Sequence, residues 1–374
     1  MGDTLVNILV TGANGFVGKN LVATLEQIEQ YNVLPITRET SQEELTESAQ
    51  KADFIFHLAG VNRPKEENEF SEGNVGFTQI LINTLISVGS TAPIVVTSSI
   101  QAENDSPYGK SKKAGEDLVF EYGVKQKVPT YIYRLPNLFG KWSKPNYNTV
   151  IATFCHKISR NQEITISDPS VQLKLVYIDD LLDEFLRALD NNPTINGEFC
   201  EVPVFHTETL GDIANLLKEF KNSRTNLIIS DLSNSFTRKL YSTYLNFLPE
   251  NDFSYPLLTH SDHRGSFTEF VKSPFGGQVS VNVSKPGIIK GEHWHHTKNE
   301  KFLVVSGQGV IRFRDYYSDE VIEYKVSGEK LEVVDIPTGY THSIVNTGET
   351  DMVTIMWVNE MFDPNHPDTY FLEV

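Results

Sequence analysis

Cysteine is scarce: Cys155 and Cys200 are the only two in 374 residues, and they lie far apart, outside any Cys-x-x-Cys spacing. That excludes a disulfide scaffold and a thiolate metal site, and fits a reducing compartment with two buried, chemically bland thiols. Basic charge is also in deficit, with 32 Lys and Arg against 49 Asp and Glu for a formal net charge of −17. The deficit is shared, since residues 252–374 carry 10 basic and 18 acidic side chains and residues 1–251 carry 22 and 31. No domain is basic enough to hold a nucleic-acid backbone electrostatically. Apolar runs of about 18 residues, the length a spanning helix needs, are missing too. The opening LVNILV lacks the basic segment and long apolar core of an export signal. The expectation is a cytoplasmic protein with neither nucleic-acid nor membrane partners.

What is present is an ordinary globular composition, 39% hydrophobic and 22% charged, over a length that suggests two or three domains. Residues 5–190 alternate short β-rich runs (NILVTG, NVLPITR, DFIFHLAG, APIVVTSS, TYIYRL) with amphipathic helix-length segments such as Lys19 to Gln30 and Ser111 to Tyr122. This alternation predicts an α/β, doubly wound, Rossmann-type parallel sheet. Leu210 to Leu248 reads as helical, and NFLPENDFSYP marks a boundary near residue 250. Beyond it, runs such as KFLVVSGQGVIRFRD and KLEVVDIPTG alternate with Gly, Pro and Asn turns and no helical pattern, which predicts an all-β sandwich or barrel. The expected domains are residues 1–247 and 252–374.

The first strand ends in Gly12-Ala-Asn14-Gly15-Phe16-Val17-Gly18, a GxxGxxG loop opening a helix. Such glycines allow backbone N–H groups to approach a pyrophosphate at a helix N-terminus. The second strand ends at Thr37-Arg38, where an acidic residue would hold an NAD ribose; a cation there suits the 2′-phosphate of NADP, with Arg38 as a solvated surface residue the bland alternative. Tyr108 and Lys112 are four residues apart, on one face if the segment is helical, so that the ammonium can lower the phenol's pKa. A phenol tuned in this way can protonate a ketone oxygen while hydride reaches its carbon. Thr97-Ser98-Ser99 at the end of a preceding strand offers hydroxyls to the same oxygen; Ser99 is favoured, Ser98 stays open.

On these residues the chain resembles the extended short-chain dehydrogenase/reductase family over about residues 5–245. The resemblance also takes in Asp53-Phe-Ile-Phe-His-Leu58-Ala59-Gly60, Asn74-Val, Arg134-Leu-Pro-Asn-Leu-Phe-Gly140 and Tyr177-Ile-Asp-Asp180. It implies that Leu58, Ala59, Gly60, Asn74 and Lys112 join the glycine loop in holding NADPH, and that Ser99, Tyr108 and Lys112 are catalytic. The short interval between Ser99 and Tyr108 departs from many nucleotide-sugar epimerases of the family and is what leaves the choice of serine open.

A second constellation lies in the β half. In Gly287-Ile-Ile-Lys-Gly-Glu-His293-Trp-His295-His296-Thr-Lys-Asn-Glu300, a strand would point His293 and His295 to one face and His296 to the other. Glu300 and His342, from Pro337-Thr-Gly-Tyr-Thr-His342, would complete a set of three imidazoles and one carboxylate. That set suits a borderline divalent ion such as zinc, with iron, manganese or nickel as alternatives. The two segments resemble the paired motifs of the cupin family, except that Leu331 stands where a glycine is expected before Pro337. Asp262-His-Arg264-Gly-Ser-Phe267 is similar to the opening strand of cupins that epimerise 4-keto nucleotide sugars; pairing of Arg264 with Asp262 or Glu269 is the structural alternative. Trp142 and Trp294 read as packing residues.

A ketone acidifies the proton on the neighbouring ring carbon, so the β half can remove and return a proton at C3 of a 4-keto sugar and the α/β half can reduce that ketone. Over its whole length the pairing resembles the bifunctional bacterial capsular-polysaccharide enzymes. The resemblance implies 3-epimerisation of UDP-2-acetamido-2,6-dideoxy-4-hexulose, then NADPH reduction at C4 to UDP-2-acetamido-2,6-dideoxy-β-L-talose, a precursor step toward L-FucNAc. It also implies a homodimer and one zinc per chain. Two other readings compete: a one-step reductase whose cupin only binds sugar or assembles dimers, and a non-enzymatic NADPH-sensing module. The epimerisation base stays open among His296, His342, Tyr340 and a metal-bound water.

Overall fold

The computed structural model describes residues 5–374 except 63–65, 67–69, 148, 263, 264, 269, 270, 272–276 and 361–364. Arg264 and Glu269, and the side chains of Asp262 and Phe267, lie outside what is described. The chain forms two compact units, Met1–Thr149 with Leu173–Thr207, and Val150–Gln172 with Glu208–Val374. Among the described residues, no helix is long and apolar enough to cross a membrane.

The elements run β1 (Val6–Thr11), α1 (Phe16–Leu25), β2 (Tyr31–Ile36), α2 (Gln42–Lys51), β3 (Phe54–His57), α3 (Phe77–Ser87), β4 (Ile94–Ser99), α4 (Pro107–Gln126) and β5 (Thr130–Leu135). They continue with β6 (Asn137–Phe139), α5 (Val150–Ser159), β7 (Gln172–Tyr177), α6 (Ile178–Leu189), β8 (Ile195–Asn196), β9 (Phe199–Cys200), β10 (His206–Thr209), α7 (Leu210–Asn226) and α8 (Ser235–Asn246). Helix starts carry local signals: Ser41 and Glu44 form a reciprocal capping box on α2, and Ser106 caps α4 ahead of Pro107 in its first turn.

In the first unit a seven-stranded sheet has the order β2-β1-β3-β4-β5-β9-β8, parallel except for the β9–β8 pair. Pro35, which cannot donate to a ladder, sits in the edge strand β2, where the loss is tolerated. Leu9, Ile55, Ile94 and Ile132 pack on one face against Leu81, Leu85, Val119 and Tyr122. On the other, Phe185 of α6 meets Phe56 and Tyr133 with ring centroids 5.2 and 5.4 Å away. Burial on both faces is why the strands read as apolar runs rather than alternations. The strand order reverses between β1 and β3, the switch point at whose carboxyl edge doubly wound sheets bind ligands. Register pairs Thr11 with both Ile36 and His57, so the loops leaving β1, β2 and β3 start side by side.

In the second unit the helical reading of Leu210 to Leu248 is met by α7 and α8, separated where Leu227 takes φ 64° at the C-cap of α7 and Asn234 caps α8. The β strands are β11 (Ser254–Pro256), β12 (Thr259–Asp262), β13 (Gly265–Thr268), β14 (Gln278–Ser284), β15 (Ile289–Trp294), β16 (Glu300–Ser306) and β17 (Gln308–Asp315). They end with β18 (Val321–Ser327), β19 (Glu332–Ile336), β20 (Tyr340–Asn346), β21 (Met352–Val358) and β22 (Tyr370–Phe371). Two five-stranded sheets result, β11-β19-β16-β21-β14 and β18-β17-β20-β15-β22, beside the β12–β13 hairpin; every pair given among them is antiparallel. Leu331, standing in place of the expected glycine, packs against the cluster of Tyr255, Leu303 and Val333. The nearby turn is made instead at Gly328, where a Cβ would come 2.6 Å from the Val305 carbonyl oxygen.

The sheet containing β16 carries a buried charge pair. Lys301 and Asp335 lie directly opposite across β16 and β19 and hydrogen-bond to each other, and Lys301 Nζ also donates to Tyr255 Oη at 3.1 Å. Arg224 of α7 reaches the other Asp335 oxygen at 3.9 Å. Burial opposes the Lys301 charge, but the Asp335 carboxylate overrides it and holds the ammonium well above its ordinary range. Lys301→Met strands the Asp335 charge in the interior and is expected to cost about 3–5 kcal/mol in urea unfolding. Replacing Asp335 with Leu in the same chain is expected to recover most of that loss.

Candidate functional site

The first site is built at the switch point. Gly12 has φ +68°, and a Cβ there would lie 2.8 Å from the Ala59 backbone nitrogen, so the glycine loop and the segment after β3 touch only because Gly12 has no side chain. At Gly18 a Cβ would fall 2.1 Å from the Gly12 carbonyl oxygen, which makes Gly18 a packing glycine that seats α1 on the loop. Gly15 caps α1 without a side-chain bond, and Phe16 and Val17 begin the helix; Asn14 is exposed. Arg38 follows β2, is exposed, and stands at the same edge, since Ala13 N–H donates to the Ile36 carbonyl at 3.3 Å. Leu58 N–H donates to the Thr11 carbonyl at 3.3 Å, which fixes the Leu58-Ala59-Gly60 turn against β1. A Cβ at Gly60 would meet Asn74 Oδ1 at 2.9 Å and Lys112 Nζ at 3.2 Å. The glycine loop, the turn after β3, Asn74 and Lys112 are thus brought together at the carboxyl edge of the sheet.

Tyr108 and Lys112 are on the first turns of α4, and Ser99 ends β4. The phenol donates to Asn62 Oδ1 at 3.0 Å. Burial raises its pKa, and a hydrogen bond from Ser99 works in the opposite direction. Lys112 Nζ stands 6.0 Å from the Tyr108 ring centroid; its ammonium donates to the Thr97 carbonyl at 3.2 Å and is itself pulled down to about 8 by burial, with Glu116 acting against the fall. The two serines separate clearly. Ser98 Oγ is committed to Glu116 Oε1 at 2.5 Å, deep in the unit, whereas Ser99 pulls the phenol's pKa down and caps a 3-10 turn by accepting from Gln101 N–H.

Asn74 does not open toward a ligand with all its groups. Its Oδ1 accepts from Val61 N–H at 2.8 Å, and its Nδ2 donates to the Val61 carbonyl and to Ser111 Oγ at 3.1 and 2.9 Å. It ties the β3 loop to the helix bearing Tyr108. Behind it sits His57, buried and pulled down to about 3 by burial and by the Lys112 charge. Thr78 Oγ1 donates to the Asn74 carbonyl at 2.6 Å, so it accepts from His57 Nε2–H at 2.8 Å. Thr11 Oγ1 then donates to His57 Nδ1 at 2.8 Å while accepting from Ala59 N–H at 3.2 Å. One neutral tautomer thus locks the glycine-loop strand, the β3 turn and α3 together.

The second site lies in the other unit, where His293, His295, Glu300 and His342 bring one ligand atom each to within 4.8 Å of one another. His342 comes from β20 and His293 from its neighbour β15, while Glu300 opens β16 of the other sheet. Positioning depends on a bulge: register shifts between Gly291 and His293, and Glu292 takes φ 55°. A Cβ at Gly291, φ +104°, would sit 2.7 Å from the His342 carbonyl oxygen, so only glycine lets the two ligand strands close. Glu300 Oε2 approaches His342 Nε2 at 3.2 Å and His295 Nε2 at 3.6 Å. His295 Nδ1 is 2.6 Å from the Asp368 carbonyl, to which it can only donate, so its Nε2 presents a lone pair to a carboxylate oxygen. His295 Nε2, His342 Nε2 and Glu300 Oε2 are buried without hydrogen-bond partners. A divalent cation among them would satisfy all three; the donor set fits zinc and its neighbours.

The protonation states agree. Burial lowers His293 to about 4 and also lowers His342, leaving both neutral and ready to ligate. Trp294 is fully buried and packs with His296, Tyr316 and Tyr370 at ring centroid distances of 4.4, 4.9 and 5.5 Å, as a packing residue should. Tyr340, one of the residues weighed as a base, is raised by burial and stays a phenol rather than a phenolate at neutral pH.

Sequence reasoning passed over Asn62, Glu116 and Asp368. Glu116 was within reach, since it follows Tyr108 and Lys112 at the same helical interval. Asn62 and Asp368 carry no periodicity or motif to announce them.

Residues 8–199 match the model of the NAD dependent epimerase/dehydratase family, and residues 260–370 match the polysaccharide biosynthesis C-terminal domain. The chain belongs to the NAD dependent epimerase/dehydratase family. In its full length it is similar to the capsular polysaccharide assembling protein CapF from Staphylococcus aureus, whose crystal structure is 59% identical, with a TM-score of 0.68 over 99% of this chain and 100% of that one. It is also 46% identical to the UDP-2-acetamido-2,6-beta-L-arabino-hexul-4-ose reductase of Pseudomonas aeruginosa, over 99% of each. A UDP-glucuronic acid 4-epimerase from Bacillus cereus, 21% identical with a TM-score of 0.52 over 58% of this chain and 83% of its own, shares the fold.

The depressed Lys112 ammonium yields a prediction with a definite sign. Its folded pKa of about 8 lies below the ordinary 10.5, so the folded protein binds this proton less well than the unfolded chain does. Holding the cation costs stability below pH 8, and the cost fades as pH rises toward 10.5. Lys112→Met is therefore expected to raise Tm of the cofactor-free protein at pH 7 and to lose most of that advantage by about pH 10. An equal gain at both pH values would exclude charge burial as the cause.

Proposed function

We propose that this chain is a bifunctional nucleotide-sugar enzyme. Residues 252–374, a metal-binding cupin of jelly-roll form, epimerise C3 of UDP-2-acetamido-2,6-dideoxy-4-hexulose. Residues 1–247, an extended short-chain dehydrogenase/reductase, then reduce the C4 ketone with NADPH to UDP-2-acetamido-2,6-dideoxy-β-L-talose for capsular polysaccharide. The observation that carries this reading is that one chain holds two sets of groups, each suited to handling a carbonyl: Ser99, Tyr108 and Lys112 at a dinucleotide cradle, and a buried cluster of three imidazoles and a carboxylate. Full-length similarity to the Pseudomonas reductase and to CapF supports the substrate class. The homodimer of the resemblance is part of the same reading, supported by the exposed stripe of Val279, Val281 and Val283 on the edge strand β14.

In the reductase half Gly12, Asn14, Gly15, Phe16, Val17, Gly18, Leu58, Ala59, Gly60 and Asn74 form the cradle, and exposed Arg38 at the end of β2 supports NADPH over NADH. NADPH, when bound, supplies the hydride. Tyr108 gives its proton to the ketone oxygen, Ser99 bonds the same oxygen, and the Lys112 charge stabilises the phenolate that remains. In the epimerase half, His293, His295, Glu300 and His342 would hold one zinc, which supplies Lewis-acid stabilisation of charge developing on the carbonyl oxygen. The buried ligand shell keeps water away from that charge, so the stabilisation is worth more than it would be in solution.

Metal-loaded protein incubated with the 4-keto sugar in D2O without NADPH is expected to place deuterium at C3, read by NMR. Glu300→Ala should abolish that exchange. Tyr108→Phe should preserve it while cutting ketone reduction by about 10²–10⁴-fold. Reduction without any exchange in the wild-type protein would reduce the function to a single-step 4-keto sugar reductase.

A further inference from the structure

We infer that Asp368 is a positioning residue for the three-His one-Glu cluster, acting through the segment Asn365–Val374 that it anchors. The inference rests on the reading that the cluster holds a divalent ion. Asp368 takes φ 38°, a left-handed conformation that L side chains rarely adopt. In that conformation its two ends point at the same stretch of chain. Its carbonyl accepts from His295 Nδ1 at 2.6 Å. Its carboxylate accepts from the backbone N–H groups of His296, Thr297 and Lys298 at 3.0, 2.8 and 2.8 Å, and from Thr297 Oγ1 at 2.9 Å.

Five donors from four successive residues are thus gathered by one side chain and its own carbonyl. They span the link between His295 and Glu300, two of the four cluster members. The neighbours of Asp368 add to the clasp. Lys298 Nζ, itself buried, donates to the Pro367 carbonyl at 2.7 Å and to Thr369 Oγ1 at 2.9 Å. β22 pairs with β15, placing Phe371 opposite His293 and Tyr370 opposite Trp294. Glu292, at the bulge, accepts from Leu372 N–H at 2.9 Å through its carbonyl and from Val374 N–H at 2.9 Å through Oε2.

The chemical effect falls on His295. An imidazole that donates from Nδ1 has its lone pair on Nε2, the nitrogen facing Glu300. Loosening the clasp frees the ring to rotate or to exchange tautomers, and either change removes a ligand from the set. Outer contacts of this kind are worth about 10–100-fold in metal affinity.

The test uses cobalt(II) as a spectroscopic stand-in for zinc, loaded into the full-length wild type, Asp368→Ala, Asp368→Asn and Lys298→Met. Affinity is read by chelator competition and ligand geometry by the visible cobalt bands, with far-UV circular dichroism and Tm of the metal-free proteins as fold controls. Asp368→Ala is expected to bind about 10–100-fold more weakly, with altered bands. Asp368→Asn, which keeps one oxygen acceptor, and Lys298→Met should show smaller losses of the same kind. If Asp368→Ala does not fold, the other two variants decide. Wild-type affinity and bands in the folded variants would overturn the assignment, as would weaker binding that only tracks lost stability with unchanged bands. A wild type that takes up neither cobalt nor zinc would overturn the metal reading itself.

Discussion

Electronegative atoms do not converge in a protein interior without a reason. His295 Nε2, His342 Nε2 and Glu300 Oε2 face one another across less than a van der Waals diameter or two, sealed from solvent and without protons to share in the pairing that His295 is forced into. Uncompensated, such a cluster costs several kcal/mol. The β unit is arranged around it: Gly291 brings β15 and β20 together at the ligand positions, the Glu292 bulge re-aims the strand, and Asp368 fixes the imidazole that faces the carboxylate. Each of these features is locally unfavourable or restrictive, and together they set three electronegative atoms where a divalent cation would satisfy them.

The α/β unit solves a related problem with the opposite sign. Lys112 is a cation held partly out of water at the mouth of the cradle, against the pull of burial. Glu116 supplies part of the compensation, and it is steadied by Ser98 at 2.5 Å and by Arg134, whose nitrogens reach it at 2.9 and 2.7 Å. The His57 linkage contributes rigidity without charge, which matters beside an ammonium already short of counterions. Both sites therefore store electrostatic strain in the protein alone, ready to be relieved by a bound partner.

Much of this was legible in the sequence. The alternation of β-rich runs and amphipathic segments gave the parallel sheet, because burial on both faces demands apolar strands, and the glycine loop and Tyr108-x-x-x-Lys112 fall where a reader would look. The His293-x-His295 spacing pointed to one face of a single strand; both rings join the cluster, but β15 ends at Trp294 and His295 is held beyond it by the Asp368 carbonyl. What could not be read were contacts set by tertiary closure. Asp368 lies far along the chain from His295, and no local pattern tells that its carbonyl will choose the tautomer. For Tyr108, spacing places Lys112 on the right face, but it says nothing of desolvation, which depends on everything packed around the ring and raises the phenol's pKa.

Ser99 illustrates how a small turn can select chemistry. By accepting from Gln101 N–H its oxygen spends acceptor capacity on the backbone, at a distance of 3.2 Å. Its hydrogen stays free to serve a second oxygen, and Ser99 pulls the neighbouring phenol's pKa down. One step along the end of β4 thus separates two like hydroxyls, Ser98 spent on the Glu116 carboxylate and Ser99 turned to the cap of the next turn, so the backbone rather than the side chain decides what each can do.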